Sequence, residues 1–183
     1  LGRVLFYDTQ LSSDNSISCA SCHKAELAFS DDVALSKGAE GKVTTRNSLA
    51  LGSVINFSLY YGDDVFNGIP FFWDNSATTI QEQSEKTIAN PNEMNMQMHE
   101  VASRVNDLEY YRPLAKMAFD TETLDKDQIL DAIATFTNAI TTYDSRFDNA
   151  LEEEFKKGFT QNYEQREFSS FSALENEGKD LYM

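Results

Sequence analysis

Cys19-Ala20-Ser21-Cys22-His23 constrains this chain more than any other stretch. Two thiols three positions apart, followed at once by an imidazole, form the C-x-x-C-H pattern of covalent c-type haem attachment. The thiols reach the two vinyl groups along one porphyrin edge. His23 then swings beneath the macrocycle and offers a ring nitrogen to the iron, so tether and axial imidazole together fix the metal and its electronics. Other readings of C-x-x-C fail on supply or setting. A zinc site needs four ligands, and the chain has two cysteines and two histidines, with His99 far along the sequence. A thioredoxin-like dithiol wants a βαβ context, which is not visible near residue 19. A disulfide across so short a loop would be strained.

At 183 residues the chain suits one domain with a small appendage, long enough to bury a core around a cofactor. Its apolar content of 41% and aromatic content of 12% are globular values. The formal charge of −15 argues against nucleic acid and anionic membrane surfaces; it favours solubility and basic partners. No run of 18 apolar residues exists, so no membrane span is expected. The chain opens at Leu1 without Met, as a mature product or a trimmed fragment would. Haem is joined to such cysteines outside the cytoplasm in bacteria, which implies a periplasmic or otherwise exported home.

Patterning along the chain predicts a mainly α fold with long functional loops. Leu1, Val4, Leu5 and Leu11 predict a short helix ending near Asp8, and residues 19–24 a helical turn. Phe29 to Asn47 reads as loop, Leu49 to Tyr61 as irregular chain with a helical turn, and Gly62 to Pro70 as turn-rich. Helices are expected over Thr79–Ile88, with Ile80, Gln83 and Thr87 along one side, over Met98–Val105, and over Leu108–Phe119 with Pro113 in its first turn or kinking it. Asp125 with Gln128 three later forms a capping-box pattern that opens a helix to Thr142, its core stripe Ile129, Ile133, Phe136 and Ile140. A further short helix starts between Asp144 and Leu151. Glu152 to Phe171 reads as a linker or arm, and Leu174 to Met183 as the start of one more helix.

The haem motif within LGRVLFYDTQLSSDNSISCASCH, then Arg46-Asn47-Ser48, Phe71-Phe72-Trp73-Asp74-Asn75, Asn90-Pro91-Asn92-Glu93-Met94 and TYDSRFDNAL from Thr142, agree in order and spacing with one family. They resemble the N-terminal, peroxidatic half of bacterial di-haem cytochrome c peroxidases and the related MauG proteins. The resemblance implies a cytochrome c-like haem domain over residues 1–151 and a linker or arm over 152–183, leading to a second haem domain that this chain does not contain. It implies one covalent haem c held by Cys19, Cys22 and His23, the last as proximal iron ligand. It implies Glu93 as the distal acid–base residue, Trp73 as a relay between haems, Arg46 near the haem or its propionates, and Asn47 as a ligand of a calcium ion. The activity implied is reduction of hydrogen peroxide to water, as a cytochrome-c-peroxidase-like oxidoreductase. The electrons would come from a small cytochrome c or copper protein through the second domain, in a homodimer of the full-length protein.

The residues support the chemistry independently. Peroxide cleavage needs an open iron position and a base that takes a proton from one oxygen and returns it to the other. Met94, Met96, Met98 and Pro91 give Glu93 a low-polarity setting that raises a carboxyl pKa. Taken alone, Glu93 also reads as solvated surface, and Trp73 as a core anchor beside Phe71 and Phe72. One departure from the family pattern matters: where many members carry a histidine that caps the resting iron, this chain has Ala39 in Ser36-Lys37-Gly38-Ala39-Glu40-Gly41. His99 is expected to face solvent. A high-spin ferric haem is therefore expected without prior reduction, as in MauG-like members, which would oxidise a protein or organic substrate instead. The other alternative is a mono-haem electron-transfer cytochrome with Met94, Met96 or Met98 as sixth ligand.

Overall fold

The structure, a computed structural model, describes residues 1–54, 71–158 and 166–182. The expectations for residues 55–70 lie outside the described residues. The chain divides into two compact units, Leu1–Thr141 and Thr142–Met183. The described residues are helical, with isolated bridges in place of strands: Lys24 with Ser30, Lys37 with Val43 and Phe71 with Ala77.

In the first unit, α1 spans Gly2–Tyr7 and α2 the haem motif's Cys19–Cys22. Then come α3 over Ile80–Ala89, α4 over Met98–Asp107, α5 over Tyr111–Phe119 and α6 over Lys126–Asn138. Pro113 lies in the first turn of α5, where its missing N–H costs nothing. Asp125 caps α6 with Gln128 as the sequence predicts, accepting from the Gln128 N–H at 2.9 Å. That helix stops at Asn138, and Ile140 sits half-buried beyond its end.

Helix α6 is the central member, with α1 and α3 packed along it. The α1 crossing is close because residue 2 is glycine: a Cβ there would stand 2.0 Å from the Ala132 carbonyl oxygen. Phe6 packs its ring 5.1 Å from Phe136. The core joins Leu5, Leu11, Ile88, Met96, Val101, Tyr111, Ile129 and Ile133. Tyr110 and Tyr111, at the start of α5, donate to one carboxylate oxygen of Asp8 at 2.5 and 2.7 Å, tying α5 to the end of α1.

Helix α3 departs from the expected stripe. Ile80, Ser84 and Ile88 are its buried residues, whereas Gln83 and Thr87 are only half-buried and line a cavity.

In the second unit, α7 spans Arg146–Lys156, opened by a Ser145–Asp148 capping box, and α8 spans Ala173–Tyr182. Phe147, Phe168 and Phe171 cluster, and Asn176 accepts the Phe168 N–H at 2.8 Å. So the stretch from Glu152 is not all extended arm: it continues α7 for five residues, and Phe168 is buried. Its charged composition hides this, because α7 buries little beyond Ala150 and Glu154.

Candidate haem site

One large cavity opens in the first unit, with a volume of about 1370 Å³. That exceeds the roughly 300–1,000 Å³ of ordinary small-molecule sites. Phe6, Ile17, Ile88, Met94 and Ile133 supply apolar wall. Cys19, Cys22, His23, Arg46, Asn47, Trp73 and Glu93 all line this cavity.

The motif enters through α2. Ser18 and Ser21 form its capping box, so one helical turn presents both thiols, and His23 ends it in non-helical backbone. Both thiols are free. Burial pushes Cys19 up to about 12 and raises Cys22 as well, so both remain neutral thiols in this apolar setting. His23 Nδ1 lies 3.0 Å from the Phe29 carbonyl oxygen. With Nδ1–H donating there, Nε2 carries the lone pair, which is the tautomer an iron ligand needs. Burial holds the His23 pKa below its ordinary value, against the pull of the Phe29 and Leu49 carbonyls and the Asp31 charge. Two thiols, a ring nitrogen with a free lone pair and a large apolar cavity fit a covalent haem.

The carbonyl that orients His23 comes from an uncommon turn. Ala28 and Phe29 both adopt left-handed backbone, with φ of 54° and 57°. Each such non-glycine residue costs about 1–2 kcal/mol. The turn is closed by the Phe29 N–H on the Lys24 carbonyl at 2.8 Å and the Lys24 N–H on the Ser30 carbonyl at 2.9 Å. Asp31 follows, its side chain 4% exposed, accepting from Lys24 Nζ at 2.8 Å and Ser36 Oγ at 2.5 Å. Burial pushes the Asp31 carboxyl up, but hydrogen bonds from Lys24 and Ser36 outweigh it and hold it well below the carboxylate range. Sequence reasoning missed Phe29 and Asp31. The available signal was a lysine directly after the motif with two aspartates seven and eight positions on.

Glu93 sits in a tight turn after α3. Its N–H donates to the Asn90 carbonyl at 3.0 Å, and Asn90 Nδ2 donates to its carboxylate at 2.8 Å. Burial raises its pKa, opposed by hydrogen bonds from Thr87 and Asn90. Met94, Met96 and Met98 are all buried beside it, which is the low-polarity setting expected from sequence. All three belong to the core, and Met94 alone of them also lines the cavity.

The loop carrying Ala39 serves Glu93 directly. Ala39 is 0% exposed, and its N–H donates to the Glu93 carbonyl at 2.7 Å. Gly38 makes this approach feasible, since a Cβ there would stand 2.1 Å from the Asn92 carbonyl oxygen. Gly38 therefore belongs to the site's framework. His99 is exposed on α4.

The rim is polar. Trp73 is 56% exposed, so it is not a core anchor of this chain; its indole N–H donates to the Asn47 carbonyl at 3.1 Å. Arg46 pairs with Asp74 at 3.1 Å. Among the described residues no group of three or more His, Cys, Asp or Glu gathers as a metal site.

A mainly helical chain with C-x-x-C-H on the wall of an apolar cavity has the makings of a c-type haem domain of the cytochrome c kind. The family model described as di-haem cytochrome c peroxidase matches residues 1–156, and the chain belongs to that family of peroxidases and MauG-like oxidases. The chain is 30% identical to the methylamine utilization protein MauG of Methylophilus methylotrophus, over 87% of this chain and 46% of that protein. It is 34% identical to the cytochrome c551 peroxidase of Nitrosomonas europaea, over 83% of this chain and 42% of that one. A crystal structure of a MauG-like protein associated with microbial copper homeostasis superposes with a TM-score of 0.72 at 28% identity, covering 100% of this chain and 47% of that one. The chain thus spans less than half the length of these relatives. The family carries c-type haem and its enzymes are oxidoreductases. No helix among the described residues is long and apolar enough to cross a membrane.

Proposed function

We propose that this chain is the peroxidatic haem domain of an exported, periplasmic protein that reduces hydrogen peroxide to water. The observation that carries this reading is the convergence of Cys19, Cys22, His23 and Glu93 on one cavity. When bound, the haem would supply redox-active iron chemistry. Cys19 and Cys22 would hold it through thioethers, and His23 would offer Nε2 to the iron with Nδ1 anchored on the Phe29 carbonyl. Glu93 takes a proton from one peroxide oxygen and returns it to the departing one. Asn90 keeps that carboxylate aimed, and burial raises its pKa, which favours a group that must hold a proton as well as take one. Two electrons and two protons convert each peroxide to two waters.

Trp73, with its indole held on Asn47 at the rim, is the relay by which electrons from the second haem enter, and Arg46, paired with Asp74 at the same rim, would lie near the haem or its propionates. The electrons come from a small cytochrome c or copper protein through a second haem domain. A calcium ion at Asn47 would take further ligands from that other half, in a full-length homodimer. The domain bounds 1–151 and 152–183 belong to the same reading.

Ala39, standing where an iron-capping histidine is expected, favours a second reading, MauG-like oxidation of a protein or organic substrate. The electron-transfer alternative narrows to Met94, which lines the cavity.

The test measures intact mass, then the single-turnover rate at which hydrogen peroxide changes the Soret band of the ferric haem, for wild type and Glu93→Gln. The reading expects one haem per chain and a rate lower by roughly 10²–10⁴-fold in the variant. A colourless protein, or a variant as fast as wild type, would refute it.

A further inference from the structure

We propose that Asp31 is a positioning residue for the axial histidine: it anchors the turn of residues 24–30 that holds the Phe29 carbonyl on His23 Nδ1. The proposal rests on His23 being the iron ligand and adds what sets that ligand's orientation and donor strength.

The Phe29 carbonyl is aimed by backbone that residues other than glycine rarely adopt, at Ala28 and Phe29 in succession. Such a conformation persists only where the surroundings over-determine it. Three things hold this one. The Lys24–Ser30 bridge closes the turn. The Leu51 N–H also donates to the Phe29 carbonyl, at 3.3 Å. Lys24, the residue directly after His23, is bound at its Nζ by Asp31 at 2.8 Å and Asp32 at 2.5 Å.

The two aspartates are not equivalent. The Asp32 side chain is 63% exposed, and its pairing with Lys24 is a solvent-screened contact. The Asp31 side chain is 4% exposed and is locked on its other side by Ser36 Oγ, which in turn contacts Ser48 Oγ at 2.9 Å. Asp31 thus joins the strained turn to the 36–48 loop and places a lasting negative charge near the imidazole. A fixed acceptor on Nδ1 fixes the ring plane and raises the basicity of the metal-facing nitrogen. Loss of Asp31 frees the turn, weakens that acceptor and removes the charge.

The test uses the haem-loaded chain as wild type, Asp31→Asn, Asp32→Asn and Ser36→Ala. The readouts are the ferrous iron–histidine stretching frequency by resonance Raman and the iron reduction potential, with haem content and far-UV circular dichroism as controls. Asp31→Asn should keep its haem and its fold, lower the stretching frequency and raise the potential. Ser36→Ala should shift both in the same sense by less, and Asp32→Asn should leave both at wild type. Wild-type values in Asp31→Asn, or equal shifts in Asp31→Asn and Asp32→Asn, overturn the proposal while leaving His23 as ligand. If Asp31→Asn does not fold, unshifted values in Ser36→Ala overturn it. A wild-type protein whose ferrous haem is five-coordinate yet shows no iron–histidine band overturns the ligand assignment itself.

Discussion

Gly38→Ala puts the loop that supports Glu93 under direct strain. The added Cβ would stand 2.1 Å from the Asn92 carbonyl oxygen, 2.8 Å from its carbon and 3.0 Å from the Glu93 carbonyl oxygen. All three are backbone atoms in a turn pinned by its own hydrogen bonds, so no side chain can swing away. The loop must retreat, which lengthens the 2.7 Å bond from the Ala39 N–H to the Glu93 carbonyl. Overpacking costs about 1–3 kcal/mol, and a lost hydrogen bond adds about 0.5–1.5 kcal/mol. We expect about 2–4 kcal/mol of destabilisation, a large share of the roughly 5–15 kcal/mol that folded domains possess. Urea unfolding of the haem-loaded chain, followed at the Soret band, reports on the unit that holds the site. With a urea slope of about 1–3 kcal/mol/M, the midpoint should fall by roughly 1–2 M with the slope unchanged. The same variant should retain its covalent haem, because Cys19 and Cys22 lie on a different segment, yet consume peroxide more slowly because Glu93 shifts. A midpoint within experimental error of wild type would refute the claim that Gly38 sets this approach.

Three further outcomes follow from other features. The oxidised haem-loaded protein should show a high-spin ferric spectrum before any reduction, since Ala39 is buried away from the cavity lining and His99 is exposed; a low-spin, bis-histidine spectrum contradicts this. Burial raises the Glu93 pKa, so the native state binds its proton more tightly than the unfolded chain, whose value is about 4.3. The resulting stability is fully present below that value and is lost as pH rises through the raised native one. Wild type should therefore lose stability relative to Glu93→Gln across that window, and parallel pH profiles for the two would exclude the shift. Asp125→Ala removes the acceptor for the Gln128 N–H at the start of α6; it should cost about 0.5–2 kcal/mol by chemical denaturation without changing haem content.

The parts of the fold legible in the sequence are those governed by local chemistry. The capping residues Asp125 and Gln128, and the proline at position 113, fix helix ends through contacts within a few residues. The haem motif is legible because thioether and axial bonds demand a fixed local spacing. The site as a gathering came from matching motifs scattered along the chain, and their meeting on one cavity is a tertiary fact. Gly38 and Gly2 look alike in sequence to any turn or helix-end glycine, and only the carbonyl facing each distinguishes them. The left-handed pair Ala28-Phe29 carries no signal at all, since neither residue prefers that conformation. Periodicity puts Gln83 and Thr87 on one side of their helix with Ile80, but it registers only a shared face and is silent on whether a cavity wall or a core lies opposite.

The clasp between α1 and α6 has a consequence for the cavity itself. Phe6 from one helix and Ile133, Thr137 and Asn138 from the other all belong to its wall, and the two helices meet where Gly2 lets backbone touch backbone. The chamber is therefore only as narrow as that crossing permits. Bulk introduced at residue 2 would pry the helices apart like a wedge and loosen the grip on a porphyrin whose tether lies on another segment.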